Sequence, residues 1–282
     1  MWSASSRHSD DKKRGRSNYL FESIIPPSSS FRFRIEWNEP GFIPFNVSPQ
    51  SRIEAGGRRS VDGGLVQKMI LAVAIALSTF ASAGELERAV SGHTVSSSAD
   101  PQVLIRLPDD ASYVGADRFT LAKPGIGDFD ACELFAFANA DQTGSLRQVY
   151  WVQFEHYLPG HPELHYDYDS PRHVTIGGLD FYVDINASDG SSKPKPGSDG
   201  EHFYNLLAAH GYKRAPMMFV RLVHLPDAAR RKELMIIAGK SLPAGMTAAS
   251  LMPGGSDAAR WPALQDDLVA WATHNIVIAR SH

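Results

Sequence analysis

One cysteine stands in 282 residues. A lone Cys132 cannot form an intrachain disulfide, so neither a disulfide scaffold nor a cysteine-based zinc site is expected. Glycine (23) and proline (18) sit near ordinary usage, which excludes collagen-like and low-complexity chains. Basic charge is not in excess: the formal net charge is −3, so the electrostatic footprint of a nucleic-acid partner is missing. Long hydrophobic runs are missing too. The apolar stretch at 69–77 is far shorter than the roughly 18 to 20 residues that cross a bilayer as a helix, so no transmembrane anchor is expected. Walker loops, G-x-G-x-x-G and G-x-S-x-G are all absent, which removes the usual motifs for nucleotide binding and serine nucleophiles.

What is present is enough apolar material for a packed core, 43% of residues, with 21% charged and 10% aromatic. Charge is unevenly spread. Residues 1–68 hold 11 Lys+Arg against 7 Asp+Glu, leaving the remainder at −7. Between the two lies the uncharged segment 69–83, preceded by Lys68 and ending in Ala81-Ser82-Ala83, a small-x-small pattern. This reads as a secretory signal peptide cut before Gly84, with translation starting at Met69 or at Val66 and residues 1–68 a disordered leader or a mis-assigned start. Two other readings are a buried helix behind an Arg/Ser-rich leader and an organelle transit peptide. Asp10, Asp11, Glu22, Glu36 and Glu39 make the leader acid-rich for the latter. The expected location is periplasmic or secreted.

Beyond the signal, residues 84–101 read as a flexible mature N-terminus and 102–282 as one α+β domain, with a mainly antiparallel sheet and two to three helices. Strand periodicity dominates its first half. At 131–138, Cys132, Leu134 and Ala136 alternate with Glu133, Phe135 and Phe137; at 146–158, Tyr150, Val152 and Phe154 alternate with Trp151, Gln153 and Glu155. The turn-rich 139–144 makes them a hairpin. A second hairpin spans 172–185, where Gly177-Gly178 suits a two-residue primed turn. That register puts Val174, Ile176, Leu179, Phe181 and Val183 on one face and His173, Thr175, Asp180, Tyr182 and Asp184 on the other. Residues 187–197 read as a mobile loop. A capping box at Ser198 and Glu201 then opens a helix with Phe203, Leu206, Leu207 and His210 on one face and Gly211 at its end. Nearly continuous apolar runs at 216–225 and 233–238 suit central strands. A last helix begins near Pro262 and buries Leu264, Leu268, Trp271 and Ala272.

Three groups of residues carry candidate chemistry. The first is the segment 155–169, dense in His, Tyr and carboxylates, in which His161, His165 and Asp167 are candidate ligands of a divalent transition metal and Glu155 or Glu163 a candidate base. None of its spacings is an established zinc pattern, and the competing reading is a loop whose side chains cover a sheet edge. The second is His173, Asp180, Tyr182 and Asp184 as a ligand-binding set, since a carboxylate beside a histidine favours the imidazolium. A solvated sheet face gives the same alternation. In the third, Tyr157, Tyr166 and Tyr168 serve as exposed anchors for a protein partner. An EF-hand at 184–195 is rejected, because Lys195 stands where a bidentate Glu is required. Cys132 reads as a buried, inert thiol, and the basic runs at 213–214 and 230–232 as solvated turns. The expectation is therefore an exported domain that binds a small ligand or a protein partner. The alternative is a metal-dependent hydrolase built on 155–173.

Overall fold

The computed structural model describes residues 88–281, so the expected leader and signal peptide at 1–83 lie outside the described residues. The described chain forms two antiparallel sheets and three α-helices. The larger sheet has seven strands: β4 (Ser112–Lys123), β5 (Gly127–Ala140), β6 (Leu146–Tyr157), β7 (His173–Ile176), β8 (Leu179–Ser188), β9 (Met217–His224) and β10 (Lys232–Ser241). Their spatial order is β4-β5-β6-β10-β9-β8-β7. The smaller sheet is built from β1 (Arg88–Ser91), β2 (Thr94–Ser97), β3 (Val103–Arg106) and β11 (Val277–Arg280), in that spatial order. The helices are α1 (Asp199–Ala209), the single-turn α2 (Ala248–Leu251) and α3 (Trp261–Asn275). Among the described residues, no helix is long and apolar enough to cross a membrane.

The period-two alternation of the central strands gives each a residue set on either face, and both faces are covered. One face carries Phe135, Phe137, Tyr150, Val152, Phe154, Val220, Leu222, Leu234 and Ile236. It packs against Val95, Val103 and Ile105 of the small sheet and Leu268, Val269 and Ala272 of α3. The opposite face carries Leu134, Ala136, Trp151, Val223, Met235 and Ile237 and meets Phe203 and Leu207 of α1, with Phe203 stacked on Trp151 at 4.6 Å between ring centroids. One buried ion pair ties the sheets together: Arg88 of β1 donates to Glu133 of β5 at 2.7 Å and lies 4.0 Å above the Phe154 ring.

Both expected hairpins form: the first sets Cys132 opposite Glu155, and the second has its expected register, with His173 opposite Tyr182. Gly177 (φ 58°) and Gly178 (φ 79°) supply the two positive φ values of a primed turn. They differ in surroundings. A Cβ on Gly177 would stand 2.1 Å from the Ile278 carbonyl oxygen of β11, where the hairpin tip touches the small sheet, whereas one on Gly178 meets nothing within 4 Å. Gly178→Ala is therefore expected to cost about 1–2 kcal/mol, the left-handed strain alone. Gly177→Ala should cost about 1–3 kcal/mol more through overpacking. Urea unfolding of the two variants checks the ranking; equal losses would mean that the tip contact contributes nothing.

Helix α1 begins at Ser198, whose hydroxyl accepts from Glu201 N–H at 3.3 Å. The box is not reciprocal, because the Glu201 carboxylate takes the Gly197 N–H (2.7 Å) instead of that of Ser198. His210, expected on the apolar face of α1, is its exposed C-cap. The stretch expected to be a flexible N-terminus is instead partly ordered: Arg88–Ser91 and Thr94–Ser97 form a hairpin, held because Val95 is fully buried and Arg88 reaches Glu133. The packed body therefore starts before residue 102.

Candidate functional site

The α1-covered face of the large sheet is apolar at one end only. At the other, alternation delivers polar side chains into the interior. Cys132 of β5 is paired with Glu155 of β6, and Glu155 in turn with Glu233 of β10, so two carboxylates face each other across neighbouring strands. Asp130 lies two residues before Cys132 on the same face, Gln153 two before Glu155, and Arg221 comes from the middle of β9. Asp199, the first residue of α1, closes the cluster from above. Asp130, Cys132, Gln153, Glu155, Asp199, Arg221 and Glu233 are all buried.

A lid of extended chain covers them. Over 164–168, Leu164, Tyr166 and Tyr168 turn inward while His165 and Asp167 alternate outward. The Tyr166 hydroxyl bridges both oxygens of Asp130 (3.0 and 2.8 Å), and the Tyr168 hydroxyl donates to Glu233 at 2.8 Å. Two arginines hold this cover down. Arg231 donates to the carbonyls of His161 (2.7 Å), Leu164 (2.6 Å), Tyr157 (3.2 Å) and Leu158 (3.1 Å), and Arg230 donates to that of Tyr166 (2.7 Å). Guanidinium groups thus add donors to backbone carbonyls of this segment, two of which, Leu158 and His161, also accept within its turns. Arg230 and Arg231 of the basic run are therefore a clamp and not a solvated turn, while Lys232 stays half-exposed beside Asp100.

Burial sets the protonation of the cluster. It pushes the Asp130 and Glu233 carboxyls well above the usual carboxylate range, with the charge of Glu155 adding to the shift in both cases. Glu155 is raised to about 7 by burial, and Asp199 to about 8 by burial followed by the nearby Glu155 charge. The Cys132 thiol is driven up for the same two reasons. Arg221 is the buried counter-charge, reaching Asp184 of β8 through Nη2 at 2.5 Å and Nε at 3.2 Å. Such a site holds protons tightly, or holds a cation that takes their place.

The metal candidates from the sequence do not come together. His161 Nε2 lies 2.9 Å from the Asp128 carbonyl, His165 Nδ1 is turned toward the Glu163 carbonyl, and Asp167 points outward between two buried tyrosines. Among the described residues, the one group of three or more His, Cys, Asp and Glu with all ligand atoms within 4.8 Å of one another is Asp130, Cys132 and Glu155. The tyrosine anchors are likewise corrected: Tyr157, Tyr166 and Tyr168 are buried, because the extended lid places every second residue against the sheet. Glu163 is exposed, whereas Glu155 belongs to the cluster.

The second expected set divides. His173 Nδ1 lies 3.0 Å from Asp180 Oδ2 and its ring 4.5 Å from that of Tyr182, on an accessible part of the hairpin, but Asp184 turns to Arg221. Asp180 also lines a cleft of about 650 Å³ at the end of the two sheets, together with Asp100, Gln102, Gly178, His224 and Arg280. His224 Nδ1 stands 2.9 Å from the Asp180 carbonyl. A carbonyl only accepts, so that nitrogen carries the proton and Nε2 is left as the acceptor of the neutral ring. Asp130, Asp199, Arg221 and Glu233 were not singled out from the sequence. The available signal was Arg221, a lone cation inside the run Met217–His224, whose neighbours on the strand are apolar. Comparison of the chain with protein-family models, with curated proteins and with solved structures finds no match.

Proposed function

We propose that this chain is an exported domain, periplasmic or secreted, that binds a small polar ligand in the cleft bounded by Asp180, His224 and Arg280. The observation that carries this reading is convergence. Four separate stretches of chain, at 100–103, 178–180, 224–226 and 280–281, contribute walls to one concavity. Its volume of about 650 Å³ falls within the range of small-molecule sites. The walls offer a carboxylate, an imidazole and a guanidinium within one opening, which suits a ligand bearing both signs of charge, such as an amino acid or a short peptide. Export rests on the segment 69–83, with its small-x-small end before Gly84.

The test is a thermal-shift screen of the full-length protein against amino acids, short peptides and sugar acids. At least one zwitterionic compound is expected to raise the melting temperature. Asp180→Ala and Arg280→Ala should each weaken its binding at least about tenfold, the cost of one charge-assisted hydrogen bond. Binding that ignores both substitutions would place the ligand elsewhere. N-terminal sequencing of protein made from the native gene should begin at Gly84, and a retained 69–83 segment would sink the export half of the reading.

A further inference from the structure

We propose that Asp130, Cys132 and Glu155 form a binding site for one divalent transition-metal ion of borderline softness, with Zn²⁺ the best match. The site is independent of the ligand cleft and stands whether or not that reading holds. It uses residues on two adjacent strands: Cys132 and Glu155 are direct cross-strand partners, and Asp130 shares the face of β5 with Cys132. Their ligand atoms all lie within 4.8 Å of one another. Donors that each sit about 2.0–2.3 Å from a tetrahedral zinc ion are separated by about 3.3–3.7 Å, which falls inside that bound.

A cluster of acidic groups is common without an ion, but this one has a second feature. Asp199 Oδ2 is buried and has no hydrogen-bond partner, while Oδ1 accepts the Gly200 N–H at 2.7 Å. Asp199 lies within electrostatic reach of the three donors: its charge acts on Asp130 and Cys132, and it feels that of Glu155. A fully buried carboxylate oxygen with no donor in good hydrogen-bond geometry is costly, the nearby Gln153 amide being spent on Glu155, and a metal-bound water provides the missing donor. That water would fill the fourth position left by three protein ligands.

The donors are also oriented as metal ligands are. Trp151 Nε1 donates to Gln153 Oε1 at 2.7 Å, and Gln153 Nε2 donates to Glu155 Oε1, which fixes the direction of that carboxylate. The Tyr166 hydroxyl fixes the Asp130 carboxylate. Outer hydrogen bonds of this kind set ligand direction in metal sites. Charge argues the same way, since Asp130, Glu155, Glu233 and Asp199 share the buried region with Arg221 as their cation. One thiolate among carboxylates does not suit Ca²⁺ or Mg²⁺, which take oxygen donors alone, nor Cu⁺, which favours all-sulfur sites; it suits Zn²⁺ and its spectroscopic substitute Co²⁺. A lone cysteine therefore does not exclude zinc here, because it acts with two carboxylates. The ion enters during folding or when the lid clamped by Arg230 and Arg231 opens.

Full-length protein, stripped with a chelator, should bind one equivalent of Co²⁺ and develop a thiolate-to-cobalt charge-transfer band with the visible bands of a tetrahedral ion. The chain has one cysteine, so such a band identifies Cys132 without further mapping. Cys132→Ser should abolish the charge-transfer band. Asp130→Asn and Glu155→Gln should each weaken Zn²⁺ binding by about 10- to 100-fold or more. If Cys132→Ser fails to fold, the band of the unaltered protein decides alone. A stripped protein that shows neither the band nor a melting-temperature shift with Co²⁺ or Zn²⁺ overturns the proposal, as does a band that survives Cys132→Ser.

Discussion

Replacing Arg221 by methionine is expected to lower the unfolding free energy by about 3–5 kcal/mol, the cost of removing one member of a buried ion pair. The side chain is 3% exposed, bonds Asp184 through two nitrogens and lies 5.1 Å from the Tyr168 ring. Beyond Asp184, it offsets the charge of Glu155, Glu233 and Asp199, each of which is stabilised in its ionised form by this guanidinium. Methionine fills similar volume, so the loss reports charge and hydrogen bonding more than a cavity. Asp184→Asn should be milder, about 1–3 kcal/mol, because the buried guanidinium loses an ionised partner but keeps an amide oxygen to donate to and the acidic cluster beside it. Urea unfolding of both variants at one pH tests this asymmetry. Equal losses, or a loss under about 1 kcal/mol for Arg221→Met, would show that the cluster does not depend on its buried cation.

The elements legible in the sequence were those whose signal is local. The hairpin β7–β8 declares itself through Gly177-Gly178 and a clean alternation, α1 through Ser198 and its apolar spacing, and the central strands β9 and β10 through runs too apolar for an open face. The small sheet was not legible. Its strands are four residues long, β1 and β2 read as polar chain, and β3, already paired with β2, gains its second partner only when β11, more than 170 residues later, returns to it. No window of sequence contains that pairing. The acidic cluster was hidden for a different reason. A strand that alternates apolar and polar residues ordinarily faces core on one side and water on the other, so Asp130, Glu155 and Glu233 look solvated. They are buried because a lid lies over them, and its evidence was the period-two spacing of Leu164, Tyr166 and Tyr168 inside a segment whose histidines drew attention first. Arg230 and Arg231 were misread with it: a basic run beside a turn is ordinarily wet, and only the position of the lid turns it into a clamp.

The same cluster makes stability fall as pH rises. Glu155 faces Asp130 and Cys132 from β5, Glu233 from β10, Arg221 from β9, Asp199 from α1 and Tyr166 from the lid, and burial outweighs the two hydrogen bonds and the one cation to raise it to about 7. An acid whose folded pKa lies above its unfolded value keeps its proton in the folded state after the unfolded chain has lost it. This contribution is full below the unfolded value, about 4.5, and is lost as pH climbs through that value to the folded one. For Glu155 alone the span corresponds to about 3 kcal/mol, and Asp199, raised to about 8, extends the decline to higher pH. Glu133 works in the opposite sense. Burial raises it, but the hydrogen bonds and charges of Arg88 and Arg118 outweigh burial and leave it below its ordinary value, so its contribution fades as pH falls below about 4.5. Chelator-treated protein should therefore be most stable near about pH 5 and weaken steadily toward pH 8. Melting temperatures across that range check the slope, and a rise toward neutrality would mean that the four carboxylates are not held protonated together. With Zn²⁺ added the decline should flatten, since an ion that displaces the protons supplies the positive charge they carried and binds more tightly as they leave. A slope unchanged by the ion would separate the two halves of the idea, leaving a proton-holding core with no metal in it.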